Sequence, residues 1–206
     1  MIDVGTDRKG HSLRMLTSDA LKAYSTRKLF QFLEDRDVIV RSSAARHLQL
    51  RGGKDVFDFA RQLLSNKRAP SREVAAFLLG QLGTPKRPFR TESTKLLIDL
   101  LKSETDVQVI AAAIASLGQL RAINAVQQLI SYANDRSPAV RASIAFAIGY
   151  AHAQESGGIP LKFEKVLRKL RKDRSRTVRD SAELAMDLRN VSSVSKGVGS
   201  ISKRAF

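Results

Sequence analysis

The sequence predicts an all-α protein of stacked helical pairs, a right-handed α-solenoid, and three observations carry that expectation. Residues 135–149 are restated four more times along the chain, with variations. Aligning the copies on Arg141 gives anchors at Arg41, Arg72, Ile110, Arg141 and Arg179, hence steps of 31, 38, 31 and 38 residues, the spacing of stacked helix pairs. Three positions after each anchor stand Ala44, Ala75, Ala113, Ile144 and Ala182; seven after it stand Leu48, Leu79, Leu117, Ile148 and Met186. Small residues on one turn let the next helix approach, and the large aliphatic residue one turn later fills the gap. Neighbouring layers then share one core.

Taken in order, residues 1–16 mix glycine and charge without periodicity and read as a flexible N-terminal arm, followed by a repeat domain over 17–190. Thr17 or Ser18 resembles a helix cap, and Leu21, Tyr24, Leu29, Phe30 and Leu33 form the stripe of a first helix ending near Asp35. The second helix spans about 38–50 and stops at Gly52-Gly53. Repeat two pairs a helix carrying Val56, Phe57, Phe59, Ala60 and Leu63 with one that includes Glu73 to Leu82, ended by Gly83 and the prolines Pro85 and Pro88. Repeat three pairs 92–101 with 107–120. Its anchor is Ile110, and residues 109–115 hold no polar side chain, so this helix should be buried on most sides. Repeat four pairs 125–133 with 138–151, Pro138 sitting at a tolerated helix start. Residues 157–160 make the longest inter-repeat turn, and repeat five pairs 163–172 with 177–188. Residues 191–206, with five serines and two glycines, read as a flexible basic tail.

Six positions before the anchors come Asp35, Asn66, Glu104, Asp135 and Asp173. A short acid or amide there can cap the second helix, or meet the anchor arginine of its own or the next repeat. The pattern Asp-x-x-x-x-Val-Arg-x-x-Ala-x-x-x-Leu, behind a shorter amphipathic helix, resembles the HEAT-like repeat family of α-solenoids from about Lys28 to Arg189. The resemblance implies a right-handed solenoid of about five HEAT-like helical pairs, an armadillo-like architecture with a concave second-helix face. Residues 41–55 and 72–82 are locally similar to HEAT-repeat proteins encoded beside bacterial Rhs polymorphic-toxin genes. That likeness implies an immunity or accessory role.

Chemistry is sparse. The three histidines, His11, His47 and His152, are dispersed and cysteine is absent, so neither a metal cluster nor a histidine-activated nucleophile can be assembled from spacing. No phosphate loop or dinucleotide fingerprint occurs. Among catalytic families of HEAT-like fold, the alkylpurine DNA glycosylases need an aromatic groove and an aspartate; Asp106 and Asp135 are repeat acids first. The expectation is a protein without catalytic activity, cofactor, metal or small-molecule substrate. The lack of cysteine fits a reducing cytoplasm, and no window suggests a secretory signal or a membrane span.

Charge is the second informative feature. The formal balance is +16, and residues 160–206 hold 13 Lys or Arg against five Asp or Glu, half the total. Lys162, Lys165, Lys169 and Lys172 share one face of a helix whose other face carries Phe163, Val166, Leu167 and Leu170. Arg168, Arg171, Arg174 and Arg176 extend this basic patch, which a solvated terminal repeat would also show. A partner of negative potential is implied, an acidic protein first and nucleic acid as the alternative. The tyrosines Tyr24, Tyr132 and Tyr150 are few, and two fall at core-like spacings, which disfavours single-strand recognition. The anchor arginines have internal acids to pair with. Arg36, Lys67 and Arg136, each directly after such an acid or amide, do not, and are the candidate basic rim. The repeat pattern places Arg46, Gln49, Glu73, Phe77, Gln108, Ser143 and Tyr150 on the concave face, the expected seat of a protein partner.

Overall fold

The computed structural model describes residues 8–152 and 159–201, and all the regular structure among them is helical. The chain divides into two compact units, Met1–Ser116 and Leu117–Phe206.

In the first unit, α1 (Arg8–Leu21) precedes three helical pairs: α2 (Thr26–Phe32) with α3 (Val38–Arg51), α4 (Lys54–Leu63) with α5 (Ala69–Gln81), and α6 (Arg90–Leu101) with most of α7 (Val107–Gln119). In the second, a short α8 (Ile123–Gln128) and a 3-10 turn (Ile130–Asn134) precede α9 (Pro138–His152), and α10 (Leu161–Leu170) pairs with α11 (Arg176–Ile201).

The small-then-large rule is met in three dimensions in four of the five copies, Met186 of the fifth staying half-buried. Ala44, Ala75, Ala113, Ile144 and Ala182 are fully buried, as are Leu48, Leu117 and Ile148, with Leu79 nearly so. The apolar run of α7 is less enclosed than its composition predicts: Val109, Ala111, Ala113 and Ile114 are buried, while Ile110, Ala112 and Ala115 stay half-exposed. First helices in the first unit are joined by rings. Phe30 of α2 stacks on Phe59 of α4 with centroids 4.2 Å apart, and Phe57 stacks on Phe89, which precedes α6.

Second helices touch through backbone. A Cβ at Gly80 of α5 would lie 2.8 Å from the Cα of Ser116; at Gly149 of α9 it would lie 2.7 Å from the Cα of Ala185 on α11; at Gly118 it would lie 2.4 Å from the Cα of Ala147. These glycines stand eight positions after their anchors, and their contacts six after the next one. Real Cβ atoms do not approach so closely, so only glycine admits this spacing.

The turns between paired helices are also built alike. The acid or amide six before each anchor accepts the N–H two residues on: Asp35 from Asp37, Asn66 from Arg68, Glu104 from Asp106, Asp135 from Ser137 and Asp173 from Ser175, all at 2.7–2.9 Å. Capping of the second helix falls to another residue. Asp37 accepts the N–H of Ile39 and Val40 at the start of α3, and Asp106 does the same for Gln108 and Val109 of α7.

Four expectations change. Residues 8–16, read as part of a loose arm, belong to α1. The single first helix expected over 17–35 is two helices, broken where Lys22 and Tyr24 N–H groups close tight turns on Asp19 and Leu21 and Ser25 caps α2. The first helix expected over 125–133 gives way after Gln128 to a 3-10 turn, in a stretch, Ile130-Ser131-Tyr132-Ala133-Asn134, that is poor in strong helix formers. Where the serines and glycines after Val191 predict a flexible tail, the helical backbone of α11 continues to Ile201. Residues 1–7 of the arm, the Gly157-Gly158 turn and residues 202–206 lie outside the described residues.

Candidate interaction faces

The anchor arginines are structural. Each sends Nη1 to two carbonyls at the start of its own turn: Arg41 to Asp35 and Arg36, Arg72 to Asn66 and Lys67, Arg141 to Asp135 and Arg136, Arg179 to Asp173 and Arg174, at 2.8–3.1 Å. Carboxylates come from the following repeat. Arg72 grips Glu104 through Nε and Nη2 at 2.7 and 2.9 Å, and Arg141 grips Asp173 at 2.8 Å twice. The Arg72 guanidinium holds the Glu104 carboxyl down to about 2, helped by N–H groups of Asp106 and Thr105 and opposed by burial; Arg141 likewise lowers Asp173. Of the two partners the sequence offered, the acid six residues upstream contributes its carbonyl and the next repeat's acid its carboxylate.

With the anchors occupied, the outward positions of the second helices are the accessible ones in each unit. Five residues after each anchor stand Arg46, Phe77, Ala115, Phe146 and Leu184, none of them buried. In the second unit these positions are apolar. Phe146 and Tyr150 of α9 stack with centroids 4.4 Å apart, and Leu184 of α11 lies 49% exposed on the adjoining second helix. Ser143 is half-buried one turn before Phe146. Phe146 and Leu184 escaped the sequence reading, although the offset that supplied Arg46 and Phe77 points to them.

In the first unit, the expected face is partly occupied by α1. His47 of α3 is buried, its Nε2 2.8 Å from the Ser18 carbonyl and 3.2 Å from the Ser18 hydroxyl, which docks α1 against α3. Between them lies a cleft of about 620 Å³, lined by Arg14, Met15, Ser18, Asp19 and Lys22 of α1, Ser42, Ser43 and Arg46 of α3, and Phe77 of α5. Arg46 and Phe77, predicted on one face, do line one cleft. Gln49 and Glu73 are half-buried and Gln108 is exposed; none of the three lines it. Burial raises the Glu73 carboxyl above its ordinary range, against the pull of Arg41.

The basic residues of α10 and the following turn, Lys162, Lys165, Arg168, Lys169, Arg171, Lys172, Arg174 and Arg176, are all exposed. Arg168, Lys169, Arg171 and Lys172 line a depression of about 510 Å³. Several are already engaged: Arg168 with Glu164, Lys169 with Asn134, Arg171 with Glu183 and Arg176 with Asp180, while Lys162 lies over the Phe163 ring. The first of these pairs is legible as an i,i+4 spacing; the Arg171–Glu183 pair joins two helices and is not. Lys165, Lys172 and Arg174 have no side-chain ion pair among the described residues. Arg36, Lys67 and Arg136 are exposed beside the turns. Tyr24, expected in the apolar stripe of a first helix, is 43% exposed because it falls in the α1–α2 turn; Tyr132 is half-buried, and Tyr150, expected on the concave face, is 38% exposed on the outward side of α9. Among the described residues no three His, Asp or Glu side chains gather as metal ligands, and no helix is long and apolar enough to cross a membrane.

Residues 94–187 match the family model for HEAT repeats. The chain is 32% identical over 167 residues to protein YibA of Escherichia coli, in strain K12 and in O157:H7 alike. That alignment takes in 78% of this chain and spans 57% of the length of those curated relatives. The X-ray structure of Escherichia coli YibA is similar to this chain with a TM-score of 0.69 at 26% identity, covering 92% of this chain and 65% of that one. A designed armadillo repeat protein is similar in fold, with a TM-score of 0.51 at 17% identity over 90% of this chain and 95% of its own. The fold class is thus that of helical repeat solenoids, an architecture typical of scaffolds that bind proteins or peptides.

Proposed function

We propose that this chain is a non-catalytic binding protein that holds a protein partner on the outward positions of its second helices, foremost those of the second unit, as a scaffold, adaptor or toxin-immunity-like accessory protein acting in the cytoplasm. The observation that carries the reading is the apolar display of the second unit. Phe146, Tyr150 and Leu184 stay accessible on two helices whose spacing is fixed by Gly149 against Ala185. A large ring left half in water on a rigid helix has the makings of an interface anchor, since burying it on association recovers apolar area at little cost in side-chain freedom. The immunity or accessory role rests on the local likeness of residues 41–55 and 72–82 to Rhs-linked proteins. The net charge of +16 favours an acidic partner.

The test is reconstitution with a purified partner identified by capture on the full chain. Tyr150→Asp and Leu184→Asp, both at exposed positions, should weaken that complex at least tenfold while the melting temperature stays put. A complex indifferent to both changes refutes the placement.

A second reading has its own support. The depression bordered by Arg168, Lys169, Arg171 and Lys172, with Lys165 and Arg174 nearby, these two and Lys172 outside any side-chain ion pair among the described residues, suits phosphate oxygens, so nucleic-acid binding through this end is the alternative. Duplex binding that falls about a thousandfold between 50 and 200 mM salt, and is abolished by Lys165→Glu, Lys172→Glu and Arg174→Glu together, would establish it. Absence of such binding would leave the protein partner.

A further inference from the structure

We infer that the cleft between α1 and α3 is a binding site for an acidic linear peptide with one apolar anchor residue, a segment of the partner rather than a folded surface. The inference rests on the protein-partner reading and adds to it a second site, in the first unit, which no repeat supplies by itself because α1 forms one wall.

Three observations converge on the occupant. The cleft is about 620 Å³, room for a few side chains rather than a domain face. Its lining charges are Arg14, Lys22 and Arg46 against Asp19, an excess of cations. Asp19 is already paired with Lys22 at 2.6 Å, so that pair cancels, and Arg14 and Arg46 have no ion pair among the described residues. Two guanidiniums facing one cleft from opposite walls, α1 and α3, are placed to take carboxylates, whose planar oxygens match the guanidinium fork.

The third observation is the apolar floor. The Phe77 ring, half-exposed on α5, and Met15, 55% exposed on α1, share the cleft with the two arginines. A thioether and a ring can close over an inserted phenylalanine or leucine, Met adapting its shape to the guest. Ser42 and Ser43 leave the α3 side low, so no large side chain competes for the space. Ser18, by contrast, is held by His47 and fixes the wall rather than meeting the guest. Carboxylates for the arginines flanking one apolar residue for Phe77 and Met15 is the chemistry the lining selects.

The experiment uses the full chain and three fluorescein-labelled peptides of equal length: glutamates around a central phenylalanine, the same peptide with glutamines, and one with lysines. Anisotropy at about 150 mM salt should show the acidic peptide binding at least tenfold more tightly than the glutamine form, with the lysine form unbound. Arg14→Gln with Arg46→Gln should cost at least tenfold, whereas Lys86→Gln with Lys95→Gln, the same loss of charge at exposed sites outside the cleft, should cost less than twofold. In the unaltered chain labelled at methionine methyls, the acidic peptide should move the Met15 resonance and leave Met186 in place. No binding, equal binding of the glutamine form, equal losses in both double variants, or an unmoved Met15 would each overturn the inference. The protein-partner reading would survive any of these, because it stands or falls on Tyr150 and Leu184 in the other unit.

Discussion

Arg72 on α5 reaches across to Glu104 at the turn of the next repeat and holds it by two parallel hydrogen bonds of 2.7 and 2.9 Å, the carboxylate side chain being 3% exposed. The pair is the joint between repeats two and three. Arg72→Ala would leave Glu104 buried without its counter-charge and should cost about 3–5 kcal/mol. Glu104→Gln, which keeps the shape and the acceptor, should cost less. Denaturant titrations of both variants check the order, and equal losses would mean the charge is immaterial.

The same pair sets an acid limit. Glu104 is held at about 2 against an ordinary value of 4.5, so its folded value is depressed. Its contribution, on the order of 3 kcal/mol, is therefore present above pH 4.5 and is lost as pH falls from there towards 2. Stability measured from pH 7 to 3 should decline below about 4.5 in the natural chain, and decline less in Glu104→Gln. Identical profiles would place the acid sensitivity elsewhere, Asp173 beside Arg141 being the next candidate.

Gly149→Ala should be among the most damaging small substitutions in the second unit. The added methyl would meet the Cα and Cβ of Ala185, both at 2.7 Å, and must push α9 from α11, at about 1–3 kcal/mol or more. Gly52→Ala is the contrasting case. Nothing lies within 4 Å of its Cβ, but its φ of +67° with ψ of −159° is a conformation essentially reserved for glycine, worth about 1–3 kcal/mol. Thermal melts measure both losses, and an unchanged melting temperature in Gly149→Ala would show that α9 and α11 separate freely.

Asp37→Ala removes the side chain that receives two N–H groups at the start of α3, and should lower stability by about 1 kcal/mol. Asp35→Ala, which loses the turn bond from Asp37 N–H and leaves the Arg41 contact to its carbonyl intact, should be milder.

Helix α1 should open before the helices it rests on. Of its residues Leu21 alone is buried among those whose side chains are described, while Leu13, Met15 and Leu16 are 51%, 55% and 68% exposed. Amide hydrogen exchange should release α1 well ahead of α3, whose Ala44, Ala45 and Leu48 are sealed in the core. Exchange at equal rates would show α1 to be an integral part of the first repeat.

What could be read from the chain, and what could not, follows from how local each cause is. The repeat core was legible because Ala44 and Leu48, or Ile144 and Ile148, recur at fixed offsets from an anchor and four of the five copies bury both, Met186 of the fifth staying half-buried. Helix α1 was not, because Leu13, Met15 and Leu16 fit no repeat and stay more than half exposed, so no periodic burial marks them. The choice between two acids for each arginine was also beyond the sequence. Asp135 and Asp173 both sit at permitted spacings from Arg141, and only the turn geometry shows that one offers a carbonyl and the other a carboxylate. Composition likewise revealed the basic stretch after Pro160 but not that Glu183, on the following helix, already answers Arg171.

The glycines opposite Ser116, Ala147 and Ala185 have one further consequence. Where main chain rests on main chain, the pitch from one second helix to the next is fixed by atoms common to every residue. The outward Phe77 and Ala115 of the first unit, and Phe146 and Leu184 of the second, take no part in setting it. Such a scaffold can change what it displays, letter by letter, without changing the ruling on which the letters stand: the specificity of each unit is free to drift while its geometry is not.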